Sequence, residues 1–80
     1  MHTLLIKAIH RANEGYWDEA HMIVQQIDDP LSYWLHANLH REEGDLDNAR
    51  HWYHRATREF TEIDIIVERQ HILATLEGNE

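Results

Sequence analysis

The chain has 80 residues, no cysteine, eight histidines and a formal charge of −8 with histidine neutral. That length makes one domain with a small core, and the missing cysteine excludes disulfides, thiolate metal sites and thiol catalysis. The acidic balance argues against nucleic acid or an anionic membrane as partner, because both need a basic surface, and no apolar run approaches the ~20 residues of a membrane span.

One proline, Pro30, and three glycines, Gly15, Gly44 and Gly78, punctuate five segments of helical pattern. The first helix is predicted over about Thr3 to Asn13, with Leu5, Ala8, Ile9 and Ala12 at i, i+3, i+4, i+7. Gly15 ends it, since glycine takes a left-handed conformation without penalty. The second runs from about Trp17 to Ile27, with a stripe of Trp17, Ala20, His21, Val24 and Ile27, and Asp18 and Glu19 complement the dipole of its first turn. The third, from about Leu31 to Glu43, is apolar on two sides, Leu31, Leu35 and Leu39 against Tyr33 and Ala37. Such a helix is sandwiched between neighbours.

Asp45 is the expected N-cap of the fourth helix, whose apolar face is Leu46, Ala49, Trp52, Tyr53 and Ala56. The fifth opens on Thr61-x-x-Asp64, a capping-box pattern, and is expected to run to about Glu77. Its first face is Phe60, Ile63, Ile66, Val67, Leu73 and Ala74. Ile65, Ile72 and Leu76 form a second stripe on nearly the opposite side.

Shifted by 29 residues, Ala8 onto Ala37, the chain matches itself. Glu14 falls on Glu43, Gly15 on Gly44, Asp18 on Asp47 and Ala20 on Ala49. Gly15-Tyr16-Trp17-Asp18-Glu19-Ala20 and Gly44-Asp45-Leu46-Asp47-Asn48-Ala49 resemble the bend and second helix of the tetratricopeptide repeat. Residues 34–56, Trp34-x-His36-Ala37 through Tyr53-x-Arg55-Ala56, also look like a small class of uncharacterised bacterial proteins with this signature. The period is shorter than the family's ~34 residues. Lys7, Arg11, His36 and His40 stand where the family has leucine and tyrosine.

The resemblance implies an all-α fold of five helices in a single domain, 1–80. It comprises two antiparallel helix-turn-helix repeats (about 2–29 and 31–58) and a closing helix (about 60–77), stacked as a right-handed superhelix. It also implies a concave peptide groove lined by Leu5, Ile9, Ala12 and Asn13, then Trp34, Asn38, Arg41 and Glu42, with the fifth helix expected to cover Leu5 and Ile9.

His36 and His40, four apart on one helix, can chelate zinc or a similar metal, with Glu43 and His51 or His54 as further ligands. The same rings serve equally as polar groups at a helix margin, and no resident cofactor is expected. Nothing resembles a nucleophile–base pair or a phosphate loop. Met1-His2-Thr3-Leu4-Leu5-Ile6 breaks at Lys7 and is too short for a signal peptide. The expectation is a soluble, cytoplasmic, non-enzymatic interaction module, with protein or peptide as partner, forming a homodimer across the stripe Ile65, Ile72 and Leu76. The alternative is a small metal- or ligand-binding protein using His36, His40, Glu43 and His54.

Overall fold

The computed structural model describes residues 2–78. Its helices are α1 Thr3–Asn13, α2 Trp17–Gln25, α3 Pro30–Glu43, α4 Leu46–Arg55 and α5 Ile65–Leu76. The described residues include no strand, and none of these helices is long and apolar enough to cross a membrane. α1 packs on α2 and α3 on α4, and α5 lies across α3 and α1.

α3 touches every other helix. Every residue from Trp34 to His40 is buried, whether apolar or polar. Its start is fixed by Asp29, whose carboxylate accepts from the Leu31 N–H at 2.8 Å, with Pro30 in the first turn. There a missing N–H removes no helical bond. The Ser32 hydroxyl donates to the Val24 carbonyl at 3.0 Å and ties α3 to the end of α2. Ala8, Ala20, Ala37 and Ala49 are wholly buried, and their lack of atoms beyond Cβ lets the paired helices approach closely.

At the second bend Gly44 has φ +87° and Asp45 accepts from the Asn48 N–H. A Cβ on Gly44 would meet nothing within 4 Å, so a side chain there costs only left-handed strain, roughly 1–2 kcal/mol. Gly44→Ala is expected to lower stability by about 1 kcal/mol, after the loss of unfolded-state entropy is allowed for. Chemical denaturation checks this, and an unchanged midpoint would refute it.

Two helix boundaries and one face differ from expectation. α2 ends at Gln25, not Ile27. α5 begins at Ile65, because Asp64 is itself the N-cap and accepts from the Ile66 and Val67 N–H groups at 2.9 and 3.1 Å. Thr61 instead closes a separate turn on the Ile63 N–H. The larger correction concerns the sides of α5. Ile72 and Leu76, expected to await a partner, lie in the chain's own core with Glu68 and Arg69, and Ile65 is half-buried. Burying each aliphatic side chain contributes about 1.5–3 kcal/mol. Ile63, Ile66 and Val67 face outward instead.

Candidate functional site

Two clusters of polar side chains are built into the interior. The first lies where the concave side of α1 and α3 was expected, and α5 fills it. Glu68 is 1% exposed. Its carboxylate accepts from Trp34 Nε1 at 2.9 Å, Asn38 Nδ2 at 2.8 Å, Arg41 at 2.8 Å and the Tyr53 hydroxyl at 2.7 Å. Burial opposes the Glu68 charge, but the bonds from Arg41, Asn38, Tyr53 and Trp34 outweigh it, so the carboxyl is held below its usual range. The same burial, with the Glu68 carboxylate alongside, pushes the Tyr53 phenol well above its ordinary value.

Arg69, next in sequence, is equally buried. It donates to Asn38 Oδ1 at 2.8 Å, to Asn13 Oδ1 at 3.2 Å and to Glu42. Asn38 therefore bridges both charges, giving through its amide nitrogen and accepting through its oxygen. Two acids and two arginines close the network with no net charge, which is the condition for burying ions at tolerable cost.

The second cluster lies at the junction of α2 with α3. His36 and His40 are stacked one turn apart on α3, with ring centroids 4.9 Å apart. His21 of α2 meets both edge-on, at 4.8 and 5.0 Å. Its Nε2 is 3.1 Å from Nε2 of His36. Trp17 stacks on His21 at 4.7 Å and Trp52 stacks on His36 at 4.0 Å, so aromatic walls hold both rings. The Trp17 indole is pinned by donating to the Leu39 carbonyl at 2.7 Å. His40 Nδ1 lies 2.7 Å from the Glu43 carboxylate. Burial, then the neighbouring His21, His40 and His51, lowers the His36 pKa to about 3, and burial lowers that of His21 as well.

The structure thus brings Trp34, Asn38, Arg41 and Glu42 together as expected, but into an internal network rather than an open groove. It brings His36 and His40 together. Glu43 stands on His40 as a hydrogen-bond partner. The third ring is His21, where His51 or His54 was expected. His54 is exposed on α4 and joins neither cluster. Sequence reasoning placed His21 in the apolar stripe of α2 without drawing the consequence: a histidine on a core-facing stripe must meet polar groups on the helix it packs against. Glu68 and Arg69 went unnoticed because they interrupt the apolar pattern of α5.

Comparison with protein-family models, curated proteins and solved structures finds no match.

Proposed function

We propose that the chain is a non-enzymatic protein-interaction module, with two tetratricopeptide-like hairpins closed by α5, that pairs with a second copy of itself through the outer face of α5. The observation that carries this reading is the exposure of Ile63, Ile66 and Val67, at 40%, 43% and 41%. Ile66 and Val67 sit in the first turn of α5, and Ile63 lies just before its N-cap, Asp64. The expected groove offers no competing surface, because Glu68 and Arg69 occupy it from within. A two-fold axis through the apolar patch would bury the same residues from both copies.

Glu62 and Asp64 border the patch and are exposed. Two copies brought together therefore repel at low salt, and salt screens that repulsion. Light scattering after size exclusion should give twice the 9.6 kDa of one chain, with the dimer fraction rising as salt is added. Ile66→Glu should hold the protein monomeric with its helicity unchanged. A wild-type chain that stays monomeric at every concentration and salt overturns the reading.

A further inference from the structure

We propose that His21, His36 and His40 form a binding site for one divalent transition-metal ion of the zinc class, each ring giving one nitrogen, with Glu43 orienting His40. The inference is independent of self-association.

One ring nitrogen from each histidine can be chosen so that all three lie within 4.8 Å of one another. Zinc holds imidazole nitrogens at ~2.0–2.1 Å in tetrahedral geometry, which sets two ligand nitrogens about 3.3 Å apart. The Nε2 atoms of His21 and His36 stand 3.1 Å apart. That pair stands at ligand separation, and His40 offers a nitrogen within 4.8 Å of both.

The outer partner is also in place. A ligating histidine commonly donates its second ring N–H to a carboxylate, which fixes the tautomer and the ring direction. His40 Nδ1 sits 2.7 Å from Glu43 Oε2. With the proton on Nδ1, the lone pair of His40 is on Nε2.

Hydrogen bonding alone does not account for the cluster. His36 and His40 are both at least nine-tenths buried. Three imidazoles share a single ring-to-ring hydrogen bond, in a position where larger apolar side chains would pack without unmet polar atoms. A metal ion makes use of the crowded lone pairs. The one proton between His21 and His36 moves, on His21, from Nε2 to Nδ1, so every ring stays neutral and no charge is buried beyond that of the ion. His21 is only half-buried, which gives both the ion and the displaced proton a route to solvent.

The donor set names the ion. Imidazole suits zinc, nickel and copper, whereas calcium and magnesium take oxygen. Three protein ligands leave a fourth position for water.

Zinc chloride added to the whole chain, first freed of metal with EDTA, should bind one ion per chain and raise Tm by several degrees. Cobalt(II) should give the intense visible bands of a tetrahedral site. His21→Ala, chosen because its ring is the least buried, should abolish both responses, and the exposed His54→Ala should keep them. Should His21→Ala fail to fold, two-bond proton–nitrogen NMR of the wild-type chain reads the site directly. Zinc-induced shifts in the ring nitrogens of His21, His36 and His40 support it. Shifts confined to other histidines, or full zinc stabilisation in folded His21→Ala, overturn it, as does the absence of any response in wild type.

Discussion

Glu68→Ala is expected to lower the stability of the fold by about 3–5 kcal/mol at 25 °C. Glu68 accepts from Trp34, Asn38, Arg41 and Tyr53 at once, and the Arg41 side chain beside it is only 8% exposed. Removing the carboxylate strands a buried guanidinium, a phenol and an indole N–H, and leaves the Asn38 amide only the Ile65 carbonyl to donate to. Breaking a buried ion pair from one side costs about 3–5 kcal/mol. A domain of this length holds on the order of 4–12 kcal/mol in total, so the loss consumes a large share of it. Glu68→Gln keeps the shape and one acceptor oxygen but turns an N–H₂ group toward other donors, and should fall between the two. Glu42→Ala should cost much less, because the Glu42 side chain is 40% exposed and water can replace it at Arg69. Urea titration followed by tryptophan fluorescence and far-ultraviolet circular dichroism orders the three. A Glu68→Ala midpoint as high as that of Glu42→Ala would refute the central place given to this carboxylate.

Glu68 and Arg69 mark the boundary between what is local in this sequence and what is not. Glycine and proline positions and the 3.6-residue periodicity were enough to place five helices, because capping and bend chemistry are local. Asp29 and Asp45 cap the helices they precede by bonds to residues two or three positions on. The inward side of α5 is not a local property. By apolar count its richer side is Phe60, Ile63, Ile66, Val67, Leu73 and Ala74, yet the buried face contains Glu68 and Arg69 beside Ile72 and Leu76. The choice rests on Trp34, Asn38, Arg41 and Tyr53, some 15 to 34 positions earlier in the chain. No window on α5 holds that information. The tetratricopeptide resemblance grouped Trp34, Asn38, Arg41 and Glu42, though as an open groove, and helical spacing paired His36 with His40. The third histidine was not, because the pairing of α2 with α3 decides which ring of a histidine-rich chain joins them.

Acidifying the metal-free protein from pH 7 to pH 5, with EDTA present, is expected to lower its stability by about 2 kcal/mol. His36 carries the effect. Burial, with His21 on α2, His40 on α3 and His51 on α4 around it, depresses its pKa from 6.5 to about 3. Below pH 6.5 the unfolded ring takes up a proton that the folded ring refuses, so the unfolded state binds more protons and stability falls with pH. The stability is fully present above pH 6.5 and is lost progressively toward pH 3. At pH 5 the ring is 1.5 units below its unfolded pKa, and each unit is worth about 1.36 kcal/mol. His21 is shifted in the same direction, with Glu43 and Asp18 partly offsetting the change. Glu68, also depressed, adds its own loss only below the ordinary carboxylate range of 4.5. The decline should therefore begin well before any carboxylate titrates. His36→Phe keeps a ring against Trp52 and removes the titration, so its stability should change far less between pH 7 and pH 5. If wild type and His36→Phe lose stability equally over that interval, the buried neutral imidazole is not what makes the fold sensitive to acid.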